Sequence, residues 1–213
     1  ATSASVEGPV PGGRAATSAS EERASRPPRL VATDLDGTLV RSDGSVSDYT
    51  REVLLEVERQ GVPVVFVTGR PLRWARDVFD HVGSHGLAVI SNGAAVWDVA
   101  ADTARLERPI STEAGREFAR LLREAVPGTS YAVETRAGIE LEPEFMERYP
   151  VPDAARRDHV DVLLDKGAWK ILARHEELGP QEFWDLAEDA TGDRLTITWS
   201  SSTTLLEFSA AQG

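Results

Sequence analysis

The sequence predicts an α/β protein, with a Rossmann-like parallel sheet in its N-terminal part and an α+β unit after it. Three short apolar runs, within residues 30–33, 62–67 and 87–90, each end in small polar residues and glycine. Segments of helical periodicity separate the runs, and such alternation is typical of parallel strands joined by right-handed crossovers. From about Ile110 onward the pattern changes to helices mixed with hairpins, which indicates a second, α+β unit.

Two carboxylates follow the first apolar run. The run from Arg29 to Thr33 is short and Gly37 follows it closely, so we predict a buried strand and not a helix. Side chains two residues apart in an extended segment point the same way, so Asp34 and Asp36 are predicted to face one cleft. Their charges repel unless a cation lies between them, and Mg²⁺ is the natural candidate because it prefers oxygen ligands and accepts one or two carboxylates. The pattern is typical of a nucleophile paired with an acid/base.

Two other interpretations apply to the same segment. Its D-x-D-G pattern resembles the start of a calcium loop, but Thr38 and Ser45 stand where that loop needs its next ligand and its bidentate Glu, so calcium is excluded. An ordinary solvated turn, rich in Asp and closed by glycine, remains the alternative to chemistry.

The second and third apolar runs also end in groups suited to a phosphate. Thr68, Gly69 and Arg70 offer a hydroxyl, a backbone free of a side chain and a guanidinium, which together form a plausible phosphate-binding corner. Asn92 and Gly93 follow the third run. Because the strands are predicted to be parallel, all three polar ends are expected at one edge of the sheet. A solvated arginine at the start of a helix fits Arg70 equally well.

Capping residues mark the predicted helices of this first part. Ser47 is a predicted N-cap, with Gly61 as the stop signal of the same helix. Pro71 suits the first position of the next helix. In the second unit, Ser111 is the predicted N-cap of a helix that ends at Pro127. The remaining predicted elements are a hairpin around 136–138, a strand at 169–173, a helix from Pro180, and strands at 195–199 and 204–208.

Three segments resemble the ordered motifs of the haloacid dehalogenase superfamily. They are Asp34 to Leu39, Val67 to Arg70, and Ile90 to Ala94, and the likeness is strongest to the Cof-type phosphatases, which carry a large α/β cap. The resemblance spans about residues 30–209. It implies a haloacid dehalogenase core, of which only the N-terminal half is present, with an inserted α+β cap. It also implies a Mg²⁺-dependent phosphomonoesterase that works through an aspartyl-phosphate.

The resemblance assigns roles to individual residues. Asp34 would be the nucleophile and a Mg²⁺ ligand, and Asp36 would be the acid/base and supply a backbone carbonyl to the metal. Thr68 would donate a hydrogen bond to a phosphoryl oxygen. An alcohol leaving group needs an acid such as Asp36, whereas a halide does not, which favours phosphate esters as substrates. The remaining strand-end residues are expected to bind substrate: Gly69, Arg70, Asn92 and Gly93.

The domain boundaries follow from the same patterns. We predict a disordered tail at residues 1–28, the N-terminal part of the catalytic core at 29–109, the cap at 110–209, and the start of a return to the core at 210–213. The resembled family supplies a bracing lysine and an acidic pair after its cap, and no Gly-Asp-x-x-x-Asp arrangement follows the cap here. Lys166 and Lys170 are not assigned the bracing role, because Lys170 matches a strand of the cap. We therefore expect a fragment of a longer protein, weakly active or inactive by itself.

The composition sets limits on function. The chain of 213 residues has no cysteine, which excludes thiolate metal sites, and its four histidines show no paired spacing suited to zinc. A formal charge of -12 disfavours nucleic acids as partners. Neither a signal peptide nor a membrane span is indicated, so we expect a cytoplasmic protein. The sequence makes no prediction of oligomeric state.

Three functions remain open. The first is hydrolysis of small phosphorylated metabolites such as sugar phosphates, the second is a catalytically silent phosphate-binding module, and the third is a phosphomutase. Cap residues that face the cleft would decide the substrate, although each of the candidates also fits a solvated surface: Glu134, Arg136, Glu140, Glu142 and Arg148.

Overall fold

The computed structural model describes residues 28–82, 86–199 and 204–211, which form two five-stranded sheets. The predicted tail at residues 1–28 lies outside the described residues except for Pro28. Among the described residues, no helix has the length and apolar character that crossing a membrane requires.

The first sheet, which we call the core sheet, has the order β1-β2-β3-β4-β5. Its strands are β1 (Val31–Asp34), β2 (Val64–Val67), β3 (Leu87–Ile90), β4 (Ala95–Asp98) and β5 (Thr103–Glu107). The first three strands are parallel, as predicted, and the last two continue the sheet as an antiparallel pair that the sequence analysis missed. The carboxyl ends of β1, β2 and β3 therefore lie at one edge of the sheet.

The first strand is less buried than predicted. Ala32 and Asp34 are exposed, whereas Val64 and Phe66 of the neighbouring β2 are buried. The cause is the position of β1 at the edge of the core sheet, where only β2 pairs with it among the described strands.

Two helices cover the core sheet, and their ends follow the predicted signals. Helix α1 (Asp48–Arg59) begins after Ser47, whose Oγ accepts a hydrogen bond of 3.1 Å from the Thr50 backbone N–H. Gly61, at φ +77°, turns the chain out of this helix. Helix α2 (Leu72–Val82) begins directly after Pro71. Its apolar face is buried in the core: Leu72, Ala75, Val78, Phe79 and Val82.

The second sheet, which we call the cap sheet, is antiparallel throughout, with the order β7-β6-β8-β10-β9. Its strands are β6 (Ser130–Thr135), β7 (Gly138–Leu141), β8 (Lys170–Arg174), β9 (Leu195–Trp199) and β10 (Leu205–Ala210), and its helices are α3 (Thr112–Ala125), α4 (Val160–Leu163) and α5 (Pro180–Thr191). Helices α3 and α5 pack on one face through a cluster that includes Phe118, Phe183 and Phe208. A parallel-stranded α/β core with an α+β cap is the predicted fold class, and it is confirmed.

Strand β8 sends alternate side chains to opposite faces of the cap sheet. Ile171 and Ala173 join the cluster with α3 and α5, whereas Leu172 belongs to a separate cluster on the other face. Lys170 lies on that second face too, and its ammonium reaches the core sheet. This face of the cap sheet therefore looks toward the strand ends of the core.

The start of the cap segment and the end of its last strand lie at neighbouring points. Arg108, just before the cap elements, donates its backbone N–H to the carbonyl of Ala94 at 2.7 Å. Arg108 also lines a small cavity of about 40 Å³ together with Gly93, and the same cavity is lined by Ala210 and Ala211 at the end of β10. The two ends of the cap segment thus meet at one place, which we call the joint.

Candidate active site

The two predicted catalytic carboxylates stay on the solvent side at the end of β1. Asp34 is the last residue of the strand and is exposed, the side chain of Leu35 is fully buried, and Asp36 is exposed again. Gly37, at φ +73°, then turns the chain back. The alternation thus exposes both carboxylates, but of this pair, predicted to face one cleft, only Asp36 lines the cleft between core and cap.

Asp36 and Arg70 form a bidentate ion pair across the ends of β1 and β2. The Arg70 Nη2 lies 2.5 Å from Asp36 Oδ1, and Nε lies 2.9 Å from Oδ2. Its hydrogen bonds to the Asp36 carboxylate raise the pKa of the Arg70 guanidinium above its ordinary value. The predicted acid/base and the predicted phosphate-binding cation are therefore paired with each other. An incoming phosphate would compete with Asp36 for this guanidinium.

Backbone hydrogen bonds join the three strand ends. Thr68 is buried, and its Oγ1 accepts a hydrogen bond of 3.1 Å from the backbone N–H of Arg70. The Thr68 N–H donates to the carbonyl of Val89 at 2.9 Å, and the Ser91 N–H donates to the carbonyl of Arg70 at 3.0 Å. The segment that carries Thr68, Gly69 and Arg70 is fixed on both sides by the sheet.

Asn92 faces the cap sheet and closely approaches Gly69. Its backbone is left-handed at φ 57°, and its Nδ2 donates hydrogen bonds to Glu207 Oε2 at 2.9 Å and to Thr198 Oγ1 at 3.2 Å. A Cβ on Gly69 would lie only 2.6 Å from Asn92 Oδ1. Gly69 is therefore needed where it stands, because a side chain would displace the Asn92 amide.

A lysine of the cap sheet also contacts Gly69 and Glu207. Lys170 begins β8 and is 2% exposed, and its Nζ donates to the Gly69 carbonyl at 2.7 Å and to Glu207 Oε2 at 2.6 Å. The sequence analysis placed Lys170 on a cap strand without assigning it a role, and it missed Glu207. The available signal was a charge within each of two mainly apolar strands, KILAR and LLEFSA, since a buried charge needs a partner.

An ion pair also links the core to the cap. Arg73 of α2 donates from Nη2 to Glu134 Oε1 of β6 at 2.7 Å. Burial raises the pKa of the Glu134 carboxyl above its ordinary value, and the hydrogen bond from Arg73 opposes that shift. Only 3% of the Glu134 side chain is exposed, so this pair is shielded from solvent on its acidic side.

Core and cap enclose a cleft of about 290 Å³ between them. Four of the predicted site residues line it: Asp36, Gly69, Arg70 and Asn92. Thr68 is buried behind this lining, Asp34 is exposed at the β1 end outside it, and Gly93 lies at the joint between the sheets.

Among the five cap residues proposed as contacts, Glu134 lines the cleft and the other four do not. Glu142 forms hydrogen bonds within the cap instead. It is buried, and its Oε2 accepts hydrogen bonds from Arg123 and from the backbone N–H of Tyr131.

The acidic side chains present offer few ligands to a metal. No group of three or more acidic, His or Cys side chains suited to a metal occurs within residues 28–82, 86–199 and 204–211. The Asp34 carboxylate has no hydrogen-bond or ion-pair partner among these residues and lies on the same side as Asp36. One carboxylate with a neighbouring backbone carbonyl is a donor set that suits Mg²⁺, which commonly completes its shell with water and substrate phosphate. These residues therefore fit the expected metal in kind.

Comparison with known proteins agrees with the fold and the family. The family model for haloacid dehalogenase-like hydrolases matches residues 31–212. The 5-amino-6-(5-phospho-D-ribitylamino)uracil phosphatase YcsE of Bacillus subtilis is 36% identical over 70 residues, which are 33% of this chain and 28% of that protein. The HMP-PP phosphatase of Yersinia pestis is 34% identical over 70 residues, which are 33% of this chain and 26% of that protein. The similarity therefore spans less than a third of the length of these curated relatives.

The fold is similar to that of solved structures. The crystal structure of SMU.1108c from Streptococcus mutans superimposes with a TM-score of 0.68 at 19% identity, covering 85% of this chain and 70% of that one. At this identity the likeness concerns the fold alone. Since the family model covers most of the sequence, the chain belongs to the haloacid dehalogenase-like hydrolases.

Proposed function

We propose that the protein containing this chain hydrolyses phosphate monoesters of small metabolites, with Mg²⁺ as cofactor and Asp34 as nucleophile. The observation that carries the proposal is the exposed Asp34 carboxylate, which has no hydrogen-bond or ion-pair partner among the described residues and lies two residues before Asp36, a residue that lines the cleft. Both curated relatives are named as phosphatases of phosphorylated small molecules, which supports the same class of substrate.

The reaction has two steps with a covalent intermediate. In the first, an Asp34 oxygen bonds to phosphorus, the bond from phosphorus to the ester oxygen breaks, and Asp36 gives its proton to the leaving alkoxide. In the second, Asp36 takes a proton from a water molecule, whose oxygen displaces the Asp34 carboxylate and releases inorganic phosphate. Bound Mg²⁺, held by the Asp34 carboxylate and the Asp36 carbonyl, would mask the negative charge of the phosphate.

Arg70 links substrate binding to the acid/base Asp36. A bound phosphoryl group would compete with the Asp36 carboxylate for the guanidinium. Binding of the phosphoryl group to Arg70 would then free the Asp36 side chain to face the leaving-group oxygen. The Thr68 hydroxyl and the backbone around Gly69 would hold the phosphoryl oxygens.

Turnover of p-nitrophenyl phosphate by the intact gene product, with and without Mg²⁺, tests this function. Asp34→Asn should lower kcat by about 10³-fold or more, since a nucleophile is lost. Asp80→Asn, an exposed position on α2, is the matched control and should retain activity. The phosphorylated peptide recovered after rapid acid quenching should contain Asp34.

Different outcomes separate the alternatives. Unchanged activity of Asp34→Asn would show that the assigned nucleophile is wrong. Binding of inorganic phosphate without any turnover would favour a silent module, and transfer of the phosphoryl group to a second position of a sugar phosphate would favour a mutase.

A further inference from the structure

The charged side chains that line the cleft are almost completely paired with one another. The three cations are Arg70, Arg73 and Lys170, and each forms an ion pair with a carboxylate of the same cleft, at 2.5, 2.7 and 2.6 Å. If the phosphoryl group of a substrate recruits Arg70, the other two cations remain neutralised by Glu134 and Glu207. No lining cation within the described residues is left for a second anionic group.

Glu147 is the one lining carboxylate without a cationic partner among the described residues. Its Oε1 accepts hydrogen bonds from the backbone N–H groups of Arg148 and Tyr149, at 2.8 and 3.0 Å, which fixes the side chain at the cleft. Its charge also acts on the neighbouring Glu134, whose pKa it helps to raise. The residues that line the cleft therefore carry one surplus negative charge, and the buried Arg174, which interacts with Glu147 electrostatically, lies outside that lining.

Aromatic rings stand beside this surplus charge. Trp74 and Tyr149 both line the cleft and form an edge-on pair, with ring centroids 5.4 Å apart. The Arg73 guanidinium already lies over the Trp74 ring, 3.9 Å from its centroid, whereas Tyr149 is 56% exposed, so the ring surface available to a ligand is that of Tyr149. A carboxylate next to aromatic rings is an environment that attracts ammonium groups and amino N–H donors.

We propose that the cleft selects phosphate monoesters whose leaving group carries an ammonium or amino group and no second anion, with Glu147 as a specificity-determining residue. The inference rests on the proposed function, because the phosphate site orients the ester. A second phosphate or carboxylate would have to displace Glu134 from Arg73 or Glu207 from Lys170. Either change would leave a buried charge without its partner, which is unfavourable.

Three phenyl phosphates that differ only at the para position test the selection. They carry an aminomethyl, a hydroxymethyl or a carboxymethyl group. Binding to the Asp34→Asn variant of the intact protein is measured by calorimetry in the presence of Mg²⁺. We expect the aminomethyl ester to bind about fivefold more tightly than the hydroxymethyl ester, as for a partly exposed ion pair. The carboxymethyl ester should bind most weakly.

Replacement of Glu147 identifies the residue responsible. Glu147→Gln in the Asp34→Asn background should reduce the ratio between the aminomethyl and hydroxymethyl esters toward one. Glu144→Gln changes the net charge by the same amount on the same segment, outside the cleft lining, and should leave the ratio unchanged.

Because the binding measurement requires no turnover, the inference and the proposed function can fail separately. Equal or tighter binding of the carboxymethyl ester, an unaltered ratio in Glu147→Gln, or no binding of any of the three esters would overturn the inference. Loss of the proposed function would appear only as absence of Asp34-dependent hydrolysis.

Discussion

Replacing Gly69 by Ala should destabilise the protein through Asn92. The new Cβ would lie 2.6 Å from Asn92 Oδ1, so the amide has to retreat by about 0.8 Å to reach an ordinary contact of 3.4 Å. A retreat of that size stretches both Nδ2 hydrogen bonds, to Glu207 at 2.9 Å and to Thr198 at 3.2 Å, beyond bonding distance.

The expected decrease in the free energy of unfolding follows from the loss of those two hydrogen bonds. A hydrogen bond to a charged group contributes about 1.5–3 kcal/mol and a neutral one about 0.5–1.5 kcal/mol. The change from Gly to Ala returns about 0.4–1 kcal/mol by restricting the unfolded chain. Allowing for partial relaxation of the side chain, we expect the free energy of unfolding to fall by about 2 kcal/mol.

Urea unfolding of a double-mutant cycle with Asn92→Ala measures this effect. In the Asn92→Ala background, Gly69→Ala should lower the free energy of unfolding much less, because the Oδ1 atom that the new Cβ would contact is absent. Gly179→Ala is the control, since a Cβ there meets nothing within 4 Å, and its effect should stay within about 0.5 kcal/mol. If Gly69→Ala costs the same with and without Asn92, the collision is not the cause and the reasoning is refuted.

Two further predictions concern ion pairs that line the cleft, one within the cap and one between core and cap. Lys170→Met should lower the free energy of unfolding by about 3 kcal/mol, because Glu207 loses the cation at 2.6 Å, and additional replacement of Glu207 by Gln should recover part of the loss. A cost below about 1 kcal/mol in urea unfolding would contradict the burial of this pair. For Glu134, whose pKa is raised from an ordinary 4.5, the folded state holds the proton more tightly than the unfolded state. The stability of the wild type relative to Glu134→Gln should therefore decrease as pH rises above 4.5, and an increase over that range would show that the Arg73 hydrogen bond outweighs burial.

The parallel strands of the core were predictable because their signals are local. Each of β1, β2 and β3 is an apolar run that ends in polar residues and glycine, and Ser47 and Pro71 mark helix starts directly. The pair β4 and β5 was missed because both segments are short: AVWD has four residues without alternation, and TARLE alternates polar with apolar residues but has only five residues, of which two are charged.

The contacts within the site could not be predicted, because they join residues far apart in the sequence. Asp36 and Arg70 were both singled out, but no local pattern indicates that they pair with each other. Asn92 meets Glu207 across 115 positions, and Lys170 meets Gly69 across 101. Those contacts depend on how the cap sheet docks on the core, which periodicity does not encode.

The joint at Arg108 and Ala210 has a consequence for how much this architecture can vary. A segment whose two ends lie side by side can be lengthened, shortened or exchanged with little strain on the rest of the chain. Changes within the cap sheet can therefore alter the residues that face the core while the strand ends that carry Asp34 and Asp36 keep their positions.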